Sequence, residues 1–311
     1  MILYKYRSDS VYSETIFLKG KVWLATASQL NYPFECSIQE IACDWIRGRV
    51  EEGRQAQLGG FILSGMDSIK SRKAFYGMPP KRTKKLLEEL KGPGDINRAY
   101  EAMRKFIKSK TGMFPKDLAA TFKEFDVQLN NVRIFSLSSN PLQQLMWAHY
   151  AGQSRGLGIG FEVSDGSKLN DPNHCIKVTY SDTVPAFVGG ELMVKSSYII
   201  GPNGITHDRK ISFDDPTFKA AISTKSVSWS YEDEWRYVEE TPGEYDHPGP
   251  IKEIIFGLSS SEGTMGKYIR LANSHIPHSV SFRRIARIKN SNQIQLVLLT
   301  DDEIATYSAG A

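Results

Sequence analysis

From residue 36 to residue 130 the apolar side chains recur at helical spacing, and on both sides of that block they alternate as strands do. A helical period does not fit a sheet, so no single-class fold accommodates both textures. The chain is therefore expected to be α+β, with mixed or antiparallel sheets and a largely helical insertion. Within the block, Ile38, Ile41, Trp45, Ile46 and Val50 share a helix face. KKLLEELK adds Leu86, Leu87 and Leu90. After GPGD, Asp95 is placed to cap a helix bearing Ile96, Tyr100, Met103, Phe106 and Ile107. A further helix is predicted over 117–130. We read 1–311 as a single domain, with 36–130 as a basic helical subdomain within it.

Outside the block, LYKYR and VWLATA read as strands near the N-terminus. Later strands are VRIFSLS, GLGIGFEV, CIKVTYS, EWRYVE, IKEIIFGL, SVSFRRIAR and QIQLVLL. Asn140 followed by Pro141 predicts the start of a helix, PLQQLMWAHYA, with Leu142, Leu145, Met146 and His149 on its buried stripe. DPTFKAAIS reads as another helix, and GPNGITHDR and TPGEYDHPGP as loops.

The net charge of +4 hides an uneven distribution. Residues 70–110 hold thirteen Lys or Arg against four Asp or Glu. This is a candidate footprint for nucleic acid or another polyanion; a solvated helical face is the plainer reading. The three cysteines suggest no disulfide framework. The first ten residues, MILYKYRSDS, lack the apolar region of a signal peptide, and no apolar run reaches a membrane span of ~18 residues. A cytoplasmic protein without membrane contact is expected.

Chemistry-bearing residues cluster in two places. Ser136 and Ser138 share a strand face, and Trp147, His149 and Tyr150 follow on the next helix. Trp147 and Tyr150, three apart, are a stacking platform or plain packing. His149, on the apolar stripe, reads first as a core residue. Gly156, Gly158 and Gly160 bare one strand face, which invites a ligand or another backbone. In WSYEDEWRYVEE, an extended chain would put Glu232, Glu234 and Arg236 on one face, an acid/base or cation-stabilising set or a salt-bridge ladder. Lys225 lies just upstream. Cys36 and Cys43 have the wrong spacing for a zinc knuckle, and His275-Ile-Pro-His278 is broken by proline, so no metal is predicted.

Together these motifs resemble a bacterial family known as domain of unknown function 2971 (DUF2971). The resemblance rests on Tyr4–Arg7, the Val22–Ala27 strand, the Asn31-Tyr-Pro-Phe-Glu35 turn, Leu145–Ala151 with Gly156–Glu162, Lys177–Tyr180, Lys225–Arg236, and the strand at 251–257. Tyr32 departs from it, standing where the family usually has an acid. A looser analogy of residue order is to ADP-ribosyltransferases, which implies a split sheet and NAD as ligand. It implies Glu234 and Glu232 as catalytic carboxylates. Tyr6, Arg7, Ser136, Ser138, Trp147, His149 and Tyr150 would line the NAD site, and Lys225 and Arg236 would touch substrate. The function expected is an NAD-dependent ADP-ribosyltransferase-like or NAD-cleaving effector, in a toxin or anti-phage setting, with a protein partner or antitoxin. The alternatives are a nucleic-acid-binding or nuclease-type defence protein and a non-catalytic sensor of a small ligand or phage protein.

Overall fold

The computed structural model describes residues 1–30, 36–41, 43–92, 94–115, 117–187, 194–201, 204–241 and 243–309. The turn at 31–35, including Tyr32, lies outside these described residues. The chain opens with β1 (Ile2–Arg7), α1 (Val11–Leu18), β2 (Lys21–Trp23) and β3 (Ala25–Thr26). Four helices follow: α2 (Cys43–Lys70), α3 (Pro80–Lys91), α4 (Ile96–Thr111) and α5 (Leu118–Asn131). Then come β4 (Arg133–Ser138), α6 (Gln144–Tyr150), β5 (Leu157–Glu162), β6 (Cys175–Lys177), β7 (Thr179–Tyr180), β8 (Val194–Gly201) and β9 (Gly204–Ile211). The last part holds α7 (Pro216–Ser223), β10 (Thr224–Lys225), β11 (Glu234–Glu239), β12 (Glu244–Asp246), β13 (Ile251–Phe256), α8 (Glu262–His275), β14 (Ser281–Arg287), β15 (Ile294–Leu298) and α9 (Asp301–Ala309). The α+β class is as expected. GPNGITHDR is an exception: Gly201 ends β8 and is paired with Gly204, which opens β9 and is followed along that strand by the rest of the stretch.

The residues form two compact units. The first comprises 1–37, 130–185 and 220–311, and the second 38–129 and 186–219. In the second, α2, α3 and α4 bury Leu58, Phe61, Leu87, Leu90, Tyr100, Met103 and Ile107 together. Asp95 caps α4 as predicted, its side chain accepting from the Asn97 amide, and Gly112 ends the helix in a left-handed conformation. The stretch 51–70, unread in the sequence, continues α2; its glycines dilute the apolar period.

The first unit is built on a nine-stranded sheet in the order β15-β14-β13-β5-β1-β4-β11-β6, with β3 also paired to β4. Alternation sorts its side chains onto two faces. One face carries Leu3, Phe135, Leu137, Ile159, Phe161 and Phe256 beneath residues of α1 and α8. The other carries Tyr4, Tyr6, Ile255 and Ile285 beneath Met146 and Trp147 of α6 and Ala151 just after it.

Gly156, just before β5, and Gly158 within it serve packing rather than a ligand. A Cβ on Gly156 would lie 2.0 Å from the Arg7 carbonyl oxygen, and one on Gly158 would touch the Trp147 ring at 3.4 Å. Gly156→Ala should therefore cost about 1–3 kcal/mol or more by overpacking. A drop in the urea midpoint with an unchanged slope is the expected reading.

Candidate functional site

A sheet strand donates and accepts along its whole length, so a gap in pairing exposes backbone that needs other partners. Between β1 and β4 there is such a gap. The two strands share one paired position, Tyr4 with Ser138, whereas β1 pairs with β5 at six positions. Beyond Tyr4 the Lys5 ammonium supplies the missing donor, bonding the Ser136 carbonyl at 2.9 Å and lying 4.5 Å from the centre of the Phe135 ring. A cavity of about 320 Å³ occupies this opening. Its walls include Lys5, Tyr6 and Arg7 on one side and Ser136, Glu232 and Glu234 on the other, with Tyr150 and Lys225. A larger cavity, about 790 Å³, lies elsewhere in the first unit among loops that include His247 and His278. It contains none of the paired carboxylates, so the chemistry centres on the smaller one.

The carboxylates arrive by a turn and not by strand alternation. Lys225 is set by β10, which pairs in parallel with β7. Ser226 then starts a short 3₁₀ helix over Val227–Glu232. Asp233 adopts a left-handed conformation, φ 43°, and Glu234 begins β11. This reversal aims both glutamates at one ammonium. Lys225 Nζ lies 2.6 Å from Glu232 Oε2 and 3.1 Å from Glu234 Oε2. The Tyr150 hydroxyl donates to Glu232 Oε1 at 2.6 Å. The Arg236 guanidinium holds both oxygens of Glu234, at 3.0 and 3.3 Å, and donates to the Ile222 carbonyl at 2.8 Å. Tyr180 accepts the Glu234 amide at 2.8 Å.

Two carboxylates are balanced by Lys225 and Arg236, so Lys5 and Arg7 give the cavity an excess of positive charge. Arg7 Nε is buried and has no hydrogen-bond partner among the described residues. Burial would raise the Glu234 carboxyl, but Arg236 and Lys225 hold it at about 2. The Glu232 carboxyl is raised by burial, against the pull of Lys225 and Tyr150. Burial first, and the charge of Arg7 second, lower the Lys5 ammonium to about 7. A lysine with a depressed folded value loses its charge as pH rises through that value. The positive charge that Lys5 brings to the cavity therefore falls as pH rises through about 7.

The structure brings Tyr6, Arg7, Ser136, Tyr150, Lys225, Glu232 and Glu234 to one cavity. It places four other expected residues elsewhere. Ser138 is fully buried where the sheet is still closed, and its hydroxyl accepts from the Asn140 amide. Trp147 is 2% exposed, bonded to the Pro141 carbonyl and set edge-on to Tyr6, so it is core and no stacking platform. His149 is exposed, neither core nor cavity. The reason is register: α6 begins at Gln144, capped by Gln143, three residues after Pro141. Its buried face is Met146 and Trp147, while Leu142 and Leu145 are exposed. Arg236 is fully buried and positions Glu234 instead of meeting substrate. Lys5 and Tyr180 were missed. Lys5 shares a strand face with Arg7, a spacing that could have flagged it; Tyr180 ends the Lys177–Tyr180 motif, which was given no role in the site. Among the described residues, no three His, Cys, Asp or Glu side chains come together as a metal site, and no helix is long and apolar enough to cross a membrane.

Fold and site thus define an α+β protein with a cation-rich cleft in an opened sheet, closed at its base by a buried Lys–Glu–Glu–Arg network. Residues 146–237 match the family model described as Protein of unknown function (DUF2971), which shows the family resemblance read from the sequence. The matched span contains Tyr150, Lys225, Glu232 and Glu234. No curated protein and no solved structure matches the chain.

Proposed function

We propose that the β1/β4 cleft binds NAD and cleaves its bond between nicotinamide and ribose, as an ADP-ribosyltransferase-like or NAD-cleaving enzyme. The observation that carries this reading is the pairing of an excess-cationic wall, Lys5 and Arg7, with a carboxylate wall, Glu232 and Glu234, across one cavity. The unpartnered Arg7 Nε suits a pyrophosphate oxygen through a charge-assisted hydrogen bond. At about 320 Å³ the cavity is at the small end of ligand pockets, so part of a dinucleotide would extend past its mouth. Departure of nicotinamide builds positive charge on the ribose. Glu232 is the better placed carboxylate to stabilise that charge. Glu234 has both oxygens committed to Arg236, whereas Glu232 is held by a lysine and a phenol that can yield to ribose hydroxyls. Such consumption of NAD would suit a toxin or anti-phage effector.

Proton NMR of the purified chain with NAD, followed over hours for free nicotinamide, tests the reading. Release by the wild type and its loss in Glu232→Gln is the expected result. A second reading is favoured by a specific observation: both carboxylates are already ion-paired, which suits a site that binds an anionic ligand without turnover. Saturable NAD binding with no release would select that reading.

A further inference from the structure

The second unit carries charge that its fold does not use. Of the thirteen Lys and Arg between residues 70 and 110, twelve are exposed and Arg104 alone is buried. Among the described residues, Lys84 is the one exposed member with a salt bridge, a 3.9 Å contact to Glu88. In the first unit, by contrast, Lys19, Lys21 and Lys267 each meet a carboxylate. The helices of the second unit are held by their apolar cluster. Like charges left unpaired repel one another, and a polyanion relieves that repulsion.

The connection between α2 and α3 supplies a second, independent feature. Arg72 and Tyr76 both adopt left-handed backbone, at φ 52° and 48°, beside Gly77 at 73°. Reciprocal hydrogen bonds between Phe75 and Met78 close the turn at 3.0 and 2.9 Å. Phe75 is thereby buried while Tyr76 stays 39% exposed. The Tyr76 ring is backed by Phe61, stacked at 5.9 Å, and by the edge of Phe106 at 5.8 Å. Lys110 lies 6.0 Å from the Phe106 ring, and Arg72 and Lys73 precede Tyr76 in the turn. A supported, solvent-facing ring among unpaired cations matches what a splayed base and its phosphates require. Bases within a duplex are stacked on one another and do not offer their faces.

We propose that this turn binds single-stranded nucleic acid, with Tyr76 stacking on a base and Arg72, Lys73 and Lys110 meeting the flanking phosphates. All of these residues belong to the second unit, and none lines the cleft. Fluorescence anisotropy of the full chain with a short labelled DNA strand, and with the same strand as a duplex, tests it. The strand should bind more tightly than the duplex. For these three phosphate contacts, affinity should fall roughly twentyfold between about 50 and 200 mM salt. Tyr76→Ala should weaken strand binding by about five- to a hundredfold and leave the salt slope unchanged. Arg72→Glu with Lys73→Glu, both on exposed side chains, should make the slope shallower, and circular dichroism checks that each variant is folded. No strand binding at low salt would overturn the proposal. So would equal binding of duplex or of anionic lipid vesicles with Tyr76→Ala indistinguishable from wild type.

Discussion

Replacing Arg236 by methionine should remove about 3–5 kcal/mol of folding stability, the effect expected when one partner of a buried ion pair is deleted. Arg236 is fully buried, and its guanidinium serves both oxygens of Glu234 and the Ile222 carbonyl. Methionine fills part of the volume but donates nothing. Glu234 would be left with the Ser136 hydroxyl and with Lys225, which Glu232 also claims, and the Ile222 carbonyl would lose this donor. Urea unfolding measures the loss. The double variant Arg236→Met/Glu234→Gln should recover part of it, because an amide in place of the carboxylate removes the stranded charge. The pH dependence has a definite sign. The Glu234 carboxyl sits at about 2 in the folded chain against 4.5 for a free glutamate. Its contribution is present above 4.5 and is lost as pH falls toward 2, so the gap between wild type and Arg236→Met should narrow over that window. A loss below about 1 kcal/mol at neutral pH, the range of exposed ion pairs, would show that Arg236 does not organise the site.

Glu232→Gln should lower the rate of nicotinamide release by about 10²–10³, the usual effect of removing one preorganised group that stabilises transition-state charge. The variant keeps the side chain's shape and can still accept from Tyr150, so its fold should survive. Lys225 would retain Glu234 as a partner. Glu234→Gln is a poorer probe of chemistry, because it also strips Arg236 of its counter-charge and confounds stability with turnover. The comparison therefore needs both rates and both unfolding curves. Equal release by wild type and Glu232→Gln would remove the proposed role of Glu232.

Much of the cleft was legible in local patterns. Alternation placed Ser136 on a strand and Arg7 on the opening strand, and the Glu232/Glu234 spacing singled out the carboxylates. Yet the reason for that spacing differed from the one expected. Asp233 turns the chain in a left-handed conformation, so Glu232 reaches Lys225 from a 3₁₀ helix and Glu234 reaches it from a strand. The misplaced residues failed for similar reasons. Asn140-Pro141 carries a sound helix-start signal, but the Asn140 side chain closes a turn by accepting from the Leu142 amide, and α6 starts later. That shift rotates the helix, burying Trp147 and exposing His149.

By itself the sequence determined the α+β texture, the helical block, most strands and the resemblance to one family, because hydrophobic period, caps and motif spacing are local properties. Tertiary structure alone decided where β1 and β4 part, and hence that Ser136 faces a cavity while Ser138, two residues on and paired with Tyr4, is fully buried. It also decided that Lys225 stands between two glutamates and that Lys5 bridges the gap. These contacts join residues far apart in the chain. Periodicity reports which face of an element is apolar, but which strands pair, and where pairing stops, is set by the packing of the whole sheet.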